Sequence, residues 1–174
     1  VNATRTADRD WIEHAVRRFE RPLVSYAARL LGDVDRARDV VQDTFMKLWQ
    51  VDRAAVDGHL GKWLYTVCRN RALDVRRKER RMTRLDDQRP PETAAATGVA
   101  ERDGADGMLA LVADLPERQQ EAVRLKFQGG LSYREIAEVM DTTANNVGVL
   151  LHTALKTIRQ RLAAPSAQGT EQTR

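Results

Sequence analysis

The chain has 174 residues, 31% charged and 5% aromatic, with 29 lysines and arginines against 25 aspartates and glutamates, which suits one ordinary domain or two small ones with modest cores. Its single cysteine excludes an intramolecular disulfide. No apolar run is long enough to cross a membrane, and no signal-peptide core opens the chain, so a cytoplasmic protein without membrane insertion is expected.

In chain order, the first half reads as three principal helices. The first, from near Asp8 to Leu31, is carried by Trp11, Ile12, Ala15, Val16, Phe19, Leu23, Tyr26, Ala27 and Leu30. Pro22 lacks a donor and should kink or restart it; Gly32 should end it and Asp33 cap the next. The second, to about Gln50, puts Ala37, Val40, Val41, Thr44, Phe45, Leu48 and Trp49 inward, leaving Arg36, Asp39, Gln42, Asp43, Met46 and Lys47 outward. The third, about Leu60 to Arg81, buries Leu60, Trp63, Leu64, Val67, Cys68, Ala72 and Val75 and turns Arg69, Asn70, Arg76, Arg77 and Arg80 to solvent or a ligand. From Arg69 to Arg84 eight basic residues face only Asp74 and Glu79, so this window is more positive than the whole chain at +4. Arginine dominates it, which suits bidentate phosphate contacts. A solvated helix end rich in cations is the plainer explanation of the same run.

Residues 85–107 interrupt every apolar period with Pro90, Pro91, Gly98, Gly104 and Gly107. They carry Asp86, Asp87, Glu92, Glu101, Asp103 and Asp106, as a flexible acidic linker would. Beyond it, Met108–Ala113 and Pro116–Gln128 read as helices, with Pro116 at a first helical position and Gly129-Gly130 as terminator. Ser132 and Glu135 form a capping-box pair for a short helix with Ile136, Ala137 and Met140 inward. Asp141-Thr142 breaks it, and Thr143 can cap a longer helix whose apolar positions are Val147, Leu151, Ala154, Leu155, Ile158 and Leu162. The polar tail 163–174 has the composition of a disordered segment. With no β-type alternation, the expected fold is all-α: two small helical domains, 8–84 and 108–162, joined by the acidic linker.

Two helices joined by so short a turn make a helix-turn-helix, whose second helix could enter a DNA major groove. The periodicity equally admits a helical hairpin that serves as core or as a protein-docking surface. All charged residues from Thr143 to Leu162 are positive (Lys156, Arg159 and Arg161), so no carboxylate there would oppose phosphate. The side away from the apolar stripe carries Asn145, Val149, His152, Thr153, Lys156 and Gln160.

Both halves resemble one family. Asp33 to Trp49, with its Asp39-Val40-Val41-Gln42-Asp43-Thr44-Phe45 core, is similar to the region of bacterial sigma factors that docks on RNA polymerase. Lys62-Trp63-Leu64-Tyr65 with Arg69-Asn70 and the basic run resembles the adjoining segment that melts the −10 promoter element, and Leu115-Pro116 through Leu162 resembles region 4, which reads the −35 element. Together they resemble the extracytoplasmic-function class of the sigma-70 family. The resemblance implies contacts to −10 DNA from His59, Lys62, Arg69, Asn70, Arg76, Arg77, Lys78 and Arg80. For −35 DNA it implies Thr143, Asn145, Asn146, Val149, His152, Thr153 and Lys156. It implies docking on the polymerase clamp helices through Asp39, Gln42, Asp43 and Met46, with the flap, promoter DNA and an anti-sigma factor as further partners. Where the family's recognition helix typically carries a lysine and two arginines, this chain has Gly148, Leu150 and Thr153, which implies weaker salt dependence of −35 binding.

Neither a catalytic group, a metal site nor a cofactor is expected. No glycine-rich phosphate loop occurs, His14, His59 and His152 lack metal spacing, and Cys68 falls on a buried stripe, where packing is its expected role. The competing readings are a stand-alone helix-turn-helix regulator, for which no dimerisation seam is visible, and a sigma-like adaptor that does not initiate transcription.

Overall fold

The computed structural model describes residues 2–85 and 112–163, with side chains for 9–82 and 112–163. The expected linker, most of the Met108–Ala113 helix and the tail lie outside the described residues. Seven helices and no strand are found among those described: α1 (Asn2–Leu31), α2 (Val34–Leu48), α3 (Arg53–Val56), α4 (Leu60–Leu85), α5 (Glu117–Phe127), α6 (Tyr133–Val139) and α7 (Ala144–Ala163).

α1 starts earlier than Asp8 and runs unbroken through Pro22, so the expected restart does not occur. Proline withdraws one donor. Leu23, Tyr26 and Ala27 beyond it are buried, as are Ala15 and Phe19 before it, and packing on both sides outweighs one lost hydrogen bond. Gly32, at φ +72°, donates to the Ala28 carbonyl at 2.8 Å. The Asp33 carboxylate then accepts from the N–H groups of Asp35 and Arg36, starting α2. α2 lies between α1 and α4 and buries Ala37, Val40, Val41, Thr44, Phe45 and Leu48. Trp49 does not join them: α2 ends at Leu48, and the indole, 57% exposed, stands at the rim of a groove between α1 and α2. The single turn α3, capped by Asp52, is an element the sequence did not announce, and it buries Val56.

In the second half Pro116 stands at the N-cap of α5 rather than inside it. Gly130 takes φ +67° and lets Leu131 N–H reach the Leu125 carbonyl at 3.1 Å, turning the chain into α6. The α6–α7 turn puts Asp141 at φ +51°, and Thr143 Oγ1 accepts from Asn146 N–H at 3.2 Å. α7 buries Val147, Leu151, Ala154 and Ile158 against α5 and α6; Leu162, expected on this stripe, is exposed in the last turn, past the final buried position.

The two halves share one contiguous buried cluster, from Ala15 in α1 to Ile158 in α7. The rings of Tyr26 and Tyr65 meet edge to face at 5.2 Å in its middle. A Cβ on Gly129 would come within 2.9 Å of the Tyr65 ring, and one on Gly61 within 3.6 Å of Leu131. Gly129 therefore lets the α5–α6 turn approach Tyr65 closely, whereas at Gly61 an added carbon would make only ordinary contact.

The capping box of α6 is complete. Ser132 N–H donates to Glu135 Oε2 at 2.8 Å, and Ser132 Oγ both donates to that oxygen and accepts from Glu135 N–H. The hydrogen bond from the Ser132 hydroxyl holds the Glu135 carboxyl below its ordinary pKa, helped by the Ser132 N–H and by the charges of Lys62 and His59. A depressed folded value gives stability that is present above the ordinary glutamate pKa and is lost as pH falls through the folded one. Glu135→Ala should therefore cost about 1 kcal/mol in urea melts at pH 7, and that difference should shrink away as titration proceeds below about pH 4.3. A difference constant down to pH 2 would contradict the assignment.

Candidate nucleic-acid interface

α4 carries the first candidate surface. Lys62, Arg69 and Arg76 recur at seven-residue spacing, so they fall in one row down the helix, with Asn70 and Arg77 in the adjoining row. Asn70, Arg77, Lys78 and Arg80 are exposed, and Arg77 reaches Asp74 on its own helix at 3.4 Å. His59, half-buried, sits just before α4 with Nδ1 3.0 Å from the Asp57 carbonyl. Arg76 is half-exposed.

Arg69 does not face solvent as expected. Its side chain is 18% exposed, and Nε donates at 2.8 Å to Glu121 Oε1 of α5, a carboxylate 11% exposed. The same oxygen accepts from the Tyr26 hydroxyl at 2.8 Å. The physical reason is tertiary: Glu121 of α5 reaches this part of α4 and presents a carboxylate to Arg69. Burial alone would pull the Arg69 pKa down; the Glu121 hydrogen bond and charge more than offset this and leave it above its ordinary value. Tyr26 is pushed well above its ordinary value by burial first, and then by the negative charge of Glu121. Two turns earlier on the same row, Lys62 Nζ, 27% exposed, donates to Glu138 Oε2 of α6 at 2.7 Å.

The same seam holds Arg29, which donates to Gln120 Oε1 at 2.7 Å and to the Ala113 carbonyl, while the Gln120 amide donates to the Ala113 and Leu115 carbonyls. Arg124, beside Arg29, has its pKa lowered by burial and by that like charge. Glu121, Glu138, Gln120 and Tyr26 are the site residues that sequence reasoning missed. Glu121 and Glu138 each stand beside apolar residues of their helix, Ala122 and Val123 for the first and Ala137 and Val139 for the second, which does not by itself name a partner.

The second candidate surface is the outer side of α7. Thr143, Asn145, Val149, His152, Thr153 and Lys156 are exposed, while Asn146 is half-buried and donates from Nδ2 to Thr142 Oγ1 at 2.9 Å. These seven residues run from the turn before α7 along more than three turns of it, and Asn146 is partly occupied with the turn. Gly148 is not a steric necessity, because a Cβ there would meet only Tyr133 at an ordinary 3.8 Å.

The third surface is the α1–α2 groove, of about 520 Å³, lined by Val16, Val24, Val41, Phe45, Met46 and Trp49. Gln42 and the 56%-exposed Met46 lie along it, and Asp39 is exposed nearby on α2. Asp43 instead pairs with Arg71 of α4 at 2.9 Å, which ties α2 to α4 alongside the Arg36–Glu79 pair. No helix among the described residues is long and apolar enough to cross a membrane, and no cluster of three metal-ligating side chains occurs among them.

The profile of sigma-70 region 2 matches residues 15–82 and that of sigma-70 region 4 matches residues 106–158. The chain is 30% identical over 146 residues to the ECF RNA polymerase sigma factor SigL of Mycobacterium tuberculosis, covering 79% of this chain and 80% of that one. It is 24% identical over 180 residues to the ECF RNA polymerase sigma factor SigW of Bacillus subtilis, covering 93% and 94%. In fold it is similar to the sigma factor RpoE in complex with the anti-sigma factor NepR from Bartonella quintana, with a TM-score of 0.67, 23% identity, and coverage of 88% and 97%. It is also similar in fold to CnrH in complex with the cytosolic domain of CnrY, at 0.58, 22% identity, and 91% of each chain.

Cys68, next to Arg69, lies wholly buried, and burial pushes its thiol up to about 12, against a smaller downward pull from a hydrogen bond with Thr44. A thiol-specific aromatic disulfide should therefore leave the native protein unmodified over minutes at pH 8 and react completely in denaturant. Fast stoichiometric labelling of the native state would show that the seam beside Arg69 opens readily.

Proposed function

The chain belongs to the extracytoplasmic-function class of sigma-70-family RNA polymerase sigma factors, and from that premise we propose how its surfaces divide the work of promoter recognition. It is an alternative sigma factor: it joins core RNA polymerase, recognises −35 and −10 promoter elements, and assists melting so that transcription starts. It works in the cytoplasm and performs no bond chemistry of its own. Polymerase, promoter DNA and an anti-sigma factor are its partners.

The observation that carries this reading is the presence, in one chain, of a cationic helix and an uncovered recognition-helix face, α4 and α7. Duplex phosphates are captured by cations, and extruded single-stranded bases are held by stacking and edge contacts. Arg76, Arg77, Lys78 and Arg80, with Asn70 and His59, supply the first on the −10 side, joined by Lys62 and Arg69. On the −35 side the side chains of Asn145, His152 and Lys156 supply edge and phosphate contacts, and Val149 suits a thymine methyl. Docking on polymerase falls to the α1–α2 groove and its rim, where Met46 and Gln42 offer exposed contact beside buried Phe45 and Val41. An exposed methionine and tryptophan beside an apolar groove suit a partner helix.

In vitro transcription with purified core polymerase and genomic promoter fragments tests the reading. Wild-type protein should yield discrete start sites. Arg76→Ala/Arg77→Ala should reduce initiation roughly tenfold or more while leaving core binding intact, since each lost phosphate contact removes a favourable ionic term. Core binding retained without any promoter-specific start would favour the adaptor; duplex binding without core binding would favour a stand-alone regulator.

Gly148 offers a second check. Gly148→Lys should raise stability by about 1 kcal/mol through helix propensity, and should steepen the salt dependence of −35 duplex binding by about 0.9 in log–log slope. An unchanged slope would place this position away from the phosphates.

A further inference from the structure

Long side chains span α1 and α5 in two rungs. Arg29 Nε of α1 donates to Gln120 Oε1 of α5 at 2.7 Å, and one turn away on each helix Arg124 Nη1 of α5 donates to Ser25 Oγ of α1 at 3.4 Å. The first rung is well made: Arg29 Nη2 also donates to the Ala113 carbonyl at 3.0 Å, and the buried Gln120 amide donates to the Ala113 and Leu115 carbonyls. The second is not. Arg124 is half-buried, its one hydrogen bond is long and ends on a neutral hydroxyl, and its Nε is buried without a partner. Glu121, the acid on the same helix nearest it in sequence, is engaged by Tyr26 and Arg69. Burial, and after it the like charge of Arg29, lower the Arg124 pKa, yet a guanidinium stays protonated in a protein. Two guanidinium charges therefore stand on adjoining rungs, and neither is paired with a carboxylate among the described residues. Partly buried charge of one sign is costly until an anion is brought to it.

We propose that Ser25, Arg29 and Arg124 form a binding site for the phosphate group of a small ligand, gripped between α1 and α5. A phosphate monoester carries a charge of about −1.5 to −2 at neutral pH and has three strong acceptor oxygens, so one such group offsets both guanidiniums. A carboxylate or a phosphodiester offsets only one. Arginine meets phosphate best through two parallel N–H bonds, and Arg124 has that fork uncommitted apart from the long bond to Ser25. Arg29 donates to protein only from Nε and Nη2, which leaves Nη1 for the ligand. The Ser25 hydroxyl, an acceptor here, can turn its own hydrogen to a phosphate oxygen, because a hydroxyl both donates and accepts. Ser25 also lines the α1–α2 groove, which gives an anion a way in. The site shares no residue with the candidate surfaces on α4 and α7. A ligand held from both helices stabilises their arrangement by mass action.

The test is calorimetric titration of the full chain with inorganic phosphate, in a zwitterionic buffer at about pH 7.5 and about 0.15 M chloride, where exposed charges are screened. The wild type should bind one phosphate saturably, with Kd below about 1 mM. Dimethyl phosphate, a singly charged diester like a nucleic-acid backbone, should bind at least about tenfold more weakly. Arg124→Gln should weaken inorganic phosphate by about tenfold or more, whereas Arg118→Gln, which removes an exposed arginine from the same helix, should leave Kd within about twofold. Saturating phosphate should also raise the Tm of the wild type above that in chloride of equal ionic strength, and leave the Tm of Arg124→Gln unchanged. Should Arg124→Gln fail to fold by circular dichroism, Arg124→Lys keeps the charge and loses the fork, and should still weaken binding by about threefold. Equal affinities of the Arg124→Gln and Arg118→Gln proteins would overturn the proposal, as would binding that never saturates. Equal binding of dimethyl phosphate would overturn the small-ligand assignment in favour of a nucleic-acid backbone.

Discussion

The Glu121 carboxylate sits where three helices meet, and the arrangement of the two halves depends on it. It takes a proton-donating bond from the Tyr26 hydroxyl of α1 and another from the Arg69 guanidinium of α4, both at 2.8 Å, from its place on α5. A carboxylate so nearly buried costs free energy unless charge and hydrogen bonding are both returned to it, and here one arginine and one phenol return them. The consequence is directional. The pairing of Glu121 with these two donors favours one register of α5 on the first half, and the close packing around Tyr65 and Leu131 and the Arg29–Gln120 bond act in the same sense.

That register carries the functional surfaces with it. Once α5 is fixed, Gly130 and the capping box of Ser132 and Glu135 set the direction of α6, and the turn at Asp141 sets α7. The outer face of α7 stays uncovered, but the start of α4 is overlaid by α6 and its Lys62 meets Glu138. One of the two candidate surfaces is thus presented and part of the other is covered. Both outcomes follow from the same close approach, which Gly129 allows by having no side chain to meet the Tyr65 ring.

The α1–α2 groove is built independently of that seam. α1 and α2 meet through Ala15, Phe19, Val40, Val41 and Phe45, and the groove forms where their apolar stripes are wider than their contact. Trp49, the residue that caps the end of α2, keeps its indole 57% exposed at the rim of the groove. Asp43, for which the family resemblance implies docking, also pairs with Arg71 and so links α2 to α4. An outward helical position therefore has two possible destinations, solvent or a neighbouring helix, and periodicity does not distinguish them.

By itself the sequence determined the local structure. Periods of 3.6 residues located the long helices; Gly32, Asp33, Gly130, Ser132, Glu135 and Thr143 placed the ends, because capping is a short-range matter of which donor lies within reach of which oxygen. It also determined the family, since the two motif-bearing stretches occur in order along the chain. The continuity of α1 through Pro22, the exposure of Trp49 and Leu162, and the burial of Arg69 were decided only by the tertiary structure. Each depends on what a second helix, remote in the chain, lays over the position. A pairing such as Arg69 with Glu121, fifty-two residues apart, leaves no mark in the spacing of either segment, because its energy comes from desolvation and charge at a junction that exists only once both halves have folded.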